Sequence, residues 1–203
     1  MSELDQLNEI PLFPLRAVLF PDGVLPLRIF EPRYIDMVRR CMRDEVNFGV
    51  VLIRDGSEVA SQDNAVPPNV FRVGTEAKIV DFNQADNGLL GIVARGGRKF
   101  QVEETYQQND ELLIGRVRFM GSETVGSLGE EHAALLQILK DLLQHPLIQQ
   151  LNPSVDLEQA LSVSNRLAEL LPIEPEIKQT LLQMSGPNER LTELKRIVGK
   201  FRE

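Results

Sequence analysis

Five prolines fall between Ile10 and Tyr34, in the run IPLFPLRAVLFPDGVLPLRIFEPRY, and they constrain the fold of this chain more than any other feature. Each of Pro11, Pro14, Pro21, Pro26 and Pro32 fixes its own φ near about −65° and pushes the residue before it toward extended backbone. The run is apolar enough for a buried helix, yet it cannot form one. Its spacing predicts two short strands, Leu12 to Leu19 and Val24 to Ile29, followed by a helix entry at Pro32, where a missing N–H costs nothing. Tyr34, Ile35, Val38, Cys41 and Met42 then recur at helical spacing, which predicts one helix over Pro32 to Asp44.

Beyond that helix the pattern is that of strands. Phe48 to Arg54, Val70 to Phe82, Leu89 to Arg95, Arg98 to Tyr106 and Leu112 to Met120 are strand-length, with Asp86-Asn87-Gly88 and Gly96-Gly97 as the expected hairpin turns. Such a set closes into a barrel or folds over as a small sandwich. From Gly121 to Gly129 the chain turns small and polar, and helical periodicity follows. Leu135, Leu136, Leu139, Leu142 and Leu143 form one stripe, and Leu157, Leu161, Leu167, Leu170 and Leu171 a second, with Asp156 as its expected cap. Pro172 ends that helix and Pro175 starts another with Ile177, Leu181 and Leu182. Gly186-Pro187 precedes a last helix with Leu191, Leu194, Ile197, Val198 and Phe201. The expectation is an α+β chain: a β lobe with one inserted helix over residues 1–122 and a C-terminal helical bundle over 123–203.

With 203 residues, 42% of them hydrophobic, the chain can bury a large core without disulfides. Cys41 is its one cysteine, which removes any intramolecular disulfide or multi-cysteine metal site and fits a cytoplasmic location. The net charge of −8 is spread over both parts, with fourteen basic against eighteen acidic residues up to Met120 and eight against twelve after it. Neither part is a basic nucleic-acid module. The acidic MSELDQLNE start lacks the pattern of a secretory signal, and no apolar run reaches the ~20 residues of a membrane helix, so no membrane partner is expected.

Motifs that carry chemistry are missing. There is no G-x-x-x-x-G-K-[ST], and Gly91, Gly96 and Gly97 approximate a glycine-rich loop but sit at an expected hairpin instead of between a strand and a helix. His132 and His145 lie thirteen residues apart, off the i, i+4 spacing of a zinc pair; both read as residues of the first bundle helix, His132 solvated in its first turn and His145 near its C-terminal dipole. No G-x-S-x-G elbow marks a nucleophile, and Cys41 falls on the apolar face of its helix, where a structural role is expected. Glu103-Glu104 and Glu130-Glu131 read as solvent-facing charges and a helix start. No catalytic residue, cofactor or metal site is assigned. What remains is a binding surface. Arg28, Glu31, Arg33 and Arg39 gather around the first helix as a recognition rim or as an ion-pair network, and Phe13, Phe20, Phe30 and Tyr34 place large side chains on kinked backbone. Most of these rings are core; one or two at the surface would shape a groove for apolar peptide. The candidate protein-binding residues are Phe13, Phe20, Arg28, Phe30, Glu31, Arg33 and Tyr34.

The opening run resembles the start of the Lon protease N-terminal, or substrate-binding, domain. FGVVLI (Phe48 to Ile53), VGTEAKIVDF (Val73 to Phe82), GLLGIVARGGRKFQV (Gly88 to Val102), LPIEPEIKQTLLQ (Leu171 to Gln183) and ERLTEL (Glu189 to Leu194) follow in that family's order, so the resemblance spans nearly the whole chain. It implies a PUA-like β pseudo-barrel followed by a helical lobe, and recognition of protein substrates. It implies no peptidase activity, since the ATPase and Ser-Lys proteolytic domains of the full protease have no counterpart in these 203 residues, and IFEPRY is similar to a stand-alone branch. The function expected is that of a non-catalytic module for exposed apolar segments of unfolded or partner proteins, acting alone or as an adaptor, with a separate protease as one candidate partner. The alternative is an enzyme or small-ligand binder using a cleft between the lobes; RNA binding, by analogy with other PUA-like folds, is opposed by the acidic charge. No oligomeric state is implied.

Overall fold

The computed structural model describes residues 6–56, 67–84 and 90–200. It divides into two compact units, Met1–Gly121 and Ser122–Glu203. The first holds strands β1 (Leu7–Leu15), β2 (Val24–Ile29), β3 (Phe48–Asp55), β4 (Asn69–Val70), β5 (Val73–Gln84), β6 (Leu90–Gln107) and β7 (Leu113–Phe119), with helix α1 (Pro32–Asp44) between β2 and β3. The second holds a 3-10 turn at Glu130–His132 and helices α2 (Ala133–Leu143), α3 (Pro146–Gln150), α4 (Ala160–Leu170), α5 (Pro175–Gln183) and α6 (Pro187–Lys200). The α+β class and the single inserted helix agree with the sequence.

In the first unit the pairings form a ring, β1-β7-β6-β5-β3 and back to β1, which is the expected pseudo-barrel. All links are antiparallel except β1 with β3. β1 begins earlier than its apolar run suggests because it serves two neighbours in turn: Leu7 to Pro11 pair with β7, and Leu12 to Leu15 with β3. Pro14 therefore lies where the strand is bonded on one side only, which tolerates a residue without an N–H. β3 is buried from Phe48 to Ile53, as its unbroken apolar run requires. Phe48 and Val50 join the cluster of Phe13, Tyr34, Val38 and Cys41 beneath α1, while Val51 joins Leu12, Phe100, Val117 and Phe119 in the other cluster.

The expected turn at Gly96-Gly97 is not there. β6 runs through it as one strand of 18 residues, antiparallel to β2 along Leu90 to Arg95 and to β7 along Phe100 to Gln107. The glycines mark a close approach instead of a reversal. The Gly96 N–H donates to the Gly23 carbonyl and the Gly96 carbonyl accepts from Asp22, both at 2.9 Å, and a Cβ on Gly96 would stand 2.1 Å from the Phe20 oxygen. The other expected turn, Asp86-Asn87-Gly88, lies outside the described residues; the strands flanking it pair with Gln84 opposite Leu90.

In the second unit Leu135, Leu139, Val163, Leu167, Leu181, Leu182, Leu191, Leu194 and Ile197 are buried; Leu136, Leu142 and Leu143 are only partly covered, and Phe201 lies outside the described residues. The polar run after Gly121 is structural. Its Val125 and Gly126 carbonyls accept the Leu161 and Ala160 N–H groups at 3.0 and 3.2 Å, supplying partners for the open first turn of α4. Gln159, and not Asp156, is the N-cap of that helix; the Asp156 carboxylate instead accepts from the Glu158 N–H and the Gln159 side-chain amide, at 3.0 and 2.7 Å. Glu123 meets Arg190, whose side chain is fully buried: both carboxylate oxygens stand 2.9 Å from Arg190 Nη2, while Nε and Nη1 donate to the Leu181 carbonyl and Ser164 Oγ. A buried charge of this kind persists only when each donor is met.

Candidate functional site

Among the described residues of the first unit, two hollows stand out. The smaller, 110 Å³, lies between the ends of β1 and β2 and is lined by Phe13, Pro14, Leu15, Leu27, Arg28, Ile29, Phe30, Glu31 and Tyr34. Five of the seven sequence-predicted residues meet there. They divide into floor and rim. Phe13 and Tyr34 are 7% and 5% exposed, with ring centroids 4.1 Å apart, and belong to the core beneath α1. Phe30, 56% exposed, and the exposed Arg28 stand at the rim. At 110 Å³ the hollow is smaller than the ~300–1,000 Å³ usual for small-molecule sites and suits one side chain.

The other two predicted residues lie elsewhere. Phe20 is fully buried and lines neither hollow, so it offers no surface to a partner. Arg33 stands outside the lining, held by Glu31 at 2.7 Å and donating to the Glu111 carbonyl at 3.2 Å, with its guanidinium 4.8 Å from the Tyr34 ring centroid. Arg39 pairs with Asp36 at 3.0 Å on the exposed face of α1. The charges near the helix thus split: Arg33 and Glu31 are an ion pair that ties the start of α1 to the loop before β7, and Arg28 is left to the rim.

The larger hollow, 430 Å³, was not legible as a site. It lies between the C-terminal end of α1, with Cys41, Met42, Glu45, Val46 and Asn47, and Lys78, Ile79, Val80, Asp81 and Phe82 of β5. Its apolar rim is exposed, with Met42 at 38%, Val46 at 51%, Val80 at 47% and Phe82 at 57%. One signal was present in the sequence: Ile79, Val80 and Phe82 put apolar side chains on both faces of a strand whose inward residues already fill the core.

Comparison with known proteins places this geometry in a family. The family model described as "ATP-dependent protease La (LON) substrate-binding domain" matches residues 9–200. The chain belongs to the Lon substrate-binding domain family. A crystal structure of a Lon N-terminal domain protein from Xanthomonas campestris is 35% identical, with a TM-score of 0.76, over 93% of this chain and 98% of that one. The N-terminal domain of a Mycobacterium avium complex Lon protease shares the fold, at 17% identity and a TM-score of 0.60, over 92% and 96% of the two chains. Among curated relatives, the Lon proteases of Cytophaga hutchinsonii and Escherichia coli K12 are 26% and 24% identical over 94% and 90% of this chain. The chain spans about a quarter of the length of those relatives, 24% in both cases. What it matches is the substrate-binding N-terminal part of Lon.

The groups that raised catalytic readings take structural places in this Lon-type domain. Cys41 is 3% exposed and burial pushes its thiol up to about 11, which leaves it protonated and unreactive near neutral pH. His132 is buried, not solvated: it ends the 3-10 turn that precedes α2, with Nε2 3.6 Å from Glu131. His145 does not end α2, which stops at Leu143; Pro146 starts a separate short helix and His145 caps it, Nδ1 accepting from the Leu147 N–H at 3.4 Å. Among the described residues no group of three or more His, Cys, Asp or Glu side chains is placed to hold a metal ion, and no helix is long and apolar enough to cross a membrane.

Proposed function

We propose that this Lon-type domain binds segments of other proteins that display apolar side chains, leaves them chemically unchanged, and uses the smaller hollow for one such side chain. The observation that carries the reading is the placement of Phe30, a large aromatic more than half exposed beside the cationic Arg28 and above an aromatic floor of Phe13 and Tyr34. Exposed aromatics paired with arginine at the mouth of a preformed hollow are the usual anchors of protein recognition. Family membership supports the same reading, since the matching model is that of a substrate-binding domain. The two portions, 1–122 and 123–203, are taken together as one such domain. Proteolysis belongs to the whole Lon relatives, of which this chain matches the substrate-binding quarter. Partners on this reading are unfolded or incompletely folded proteins, and a separate protease for which the domain acts as adaptor.

The test is retention of a model protein in its unfolded and native forms by the immobilised domain. Retention of the unfolded form alone, weakened by Phe30→Ala with no change in melting temperature, is expected; retention of both forms equally, or of neither, removes the proposal.

A further inference from the structure

The larger hollow is bordered by a stretch of β5 edge that no described strand covers. Five consecutive residues, Lys78 to Phe82, line it. Alternate residues of a regular strand point to opposite faces; here the register with β6 shifts between Ile79 and Asp81, and this irregularity at Val80 turns consecutive residues toward the hollow. β5 pairs with β6 as far as Gln84, but β3 covers its other side only at Thr75, Glu76 and Ala77, because β3 begins at Phe48. From Lys78 to Gln84 no described strand pairs on that side. The Phe82 N–H donates at 2.8 Å to the carboxylate of the adjacent Asp81, a local acceptor occupying a donor that a ladder would otherwise use.

The sheet formed here by β2, β6 and β5 has a second outer edge, on β2, and that edge carries Pro26. A proline facing outward removes a donor and blunts an edge against added strands. The β5 edge has no proline between Val73 and Gln84, and it is flanked by the exposed side chains of Met42, Val46, Val80 and Phe82.

We propose that the β5 edge takes an extended segment of a partner polypeptide as an added strand, its backbone bonded along Lys78 to Gln84 and its apolar side chains set against Met42, Val46 and Phe82. A strand edge that no described strand covers, beside an apolar shoulder, is the chemistry that recognises an extended main chain with little regard to sequence; an added strand would take the Phe82 N–H over from Asp81. Charge narrows the partner. Glu45 and Asp81 face the hollow against the single Lys78, on a chain of net charge −8, so the segment accepted is apolar and flanked by basic residues, and acidic segments are repelled. The inference rests on the reading that this domain binds protein segments, and names a second place and a backbone-directed mode for it.

The experiment measures binding of a labelled ten-residue peptide, apolar with lysines at both ends, by fluorescence anisotropy. Three peptides are compared: unmodified, N-methylated at odd positions and N-methylated at even positions. The proteins are wild type, Phe82→Asp, Val46→Asp and Phe30→Ala, each checked for an unchanged melting temperature; Val46 precedes β3 and so tests the hollow without altering a strand. An added strand loses about tenfold or more in affinity with one N-methylated peptide and little with the other, and loses about tenfold with either aspartate variant. Equal affinity for all three peptides, or wild-type binding by both aspartate variants, overturns the inference while the proposed function stands. Failure of wild type to bind the unmodified peptide overturns the inference, while the proposed function is decided by the retention of unfolded protein. A concentration-dependent dimer that Phe82→Asp dissociates overturns it as well, because the edge then belongs to a second copy.

Discussion

The two hollows of the first unit differ in how their backbone is protected. The smaller one lies between two proline-bearing strands, β1 with Pro14 and β2 with Pro26, its floor is the packed Phe13–Tyr34 pair, and the Glu31 on its lining is held by Arg33. The larger one opens on a proline-free strand edge beside the C-terminal end of α1. On the proposed reading the first, lined by proline-bearing strands, takes a side chain, and the second takes an added strand. What would separate the two proposed modes of contact is the placement of proline, more than the amount of apolar surface.

Substitutions that reach the shared core break the comparison most severely. Tyr34→Ala removes half of the aromatic floor, and a cost of about 3–4 kcal/mol is expected in urea unfolding. Phe82→Ala, at a side chain 57% exposed, is expected to shift the same curve by no more than about 0.5 kcal/mol. A loss of equal size in the two would mean that both hollows are parts of one core.

The floor of the larger hollow supplies the next test. Cys41 lines it yet is 3% exposed, and burial raises its thiol from an ordinary 9.0 to about 11. The thiolate fraction at pH 8 is thus lower by about a hundredfold than in the unfolded chain, and alkylation of the native protein should be slower by at least that factor. Because the native value is the higher one, the rate should still be climbing above pH 9, where an unfolded-state thiol levels off. Prompt labelling at pH 8 would show that α1 leaves the sheet readily and that the floor is not closed.

Smaller effects separate anchor from support at the other hollow. Arg33→Ala deletes a side chain only 12% exposed that bonds Glu31 and the Glu111 carbonyl, and should cost about 1 kcal/mol of stability. Phe30→Ala should leave stability within about 0.5 kcal/mol and reduce capture of unfolded protein instead. If the two variants exchange these phenotypes, the roles of rim and ion pair are reversed.

Much of the fold was legible in the sequence because local signals agree with the tertiary answer. Pro32 at the first turn and Tyr34, Val38 and Cys41 on one face place α1 where it is found, and the unbroken FGVVLI run marks β3 as buried on both faces. The errors came where a residue type has two uses. Gly96-Gly97 looks like a turn, but its lack of side chains lets the Phe20–Gly23 backbone lie against a continuous strand, a contact set by distant residues. Asp156 has the chemistry of a cap and stands a few residues early, since the Val125 and Gly126 carbonyls already serve the helix. The candidate site was legible in part for the same reason. The kinked run brings Phe13, Arg28, Phe30, Glu31 and Tyr34 around one hollow, but composition cannot separate the buried Phe20 from the exposed Phe30. The β5 edge left almost no trace, because an edge is created by where another strand starts.

The central claim is that this Lon-type domain grips exposed apolar chain without altering it. The most direct measurement is a calorimetric titration of the domain with one protein in its native state and in a permanently unfolded, reduced state, with mass analysis of the titrant afterwards. The account predicts saturable heat with the unfolded form alone and a titrant of unchanged mass. Heat that does not distinguish the two forms, or a titrant recovered cleaved or modified, would contradict it.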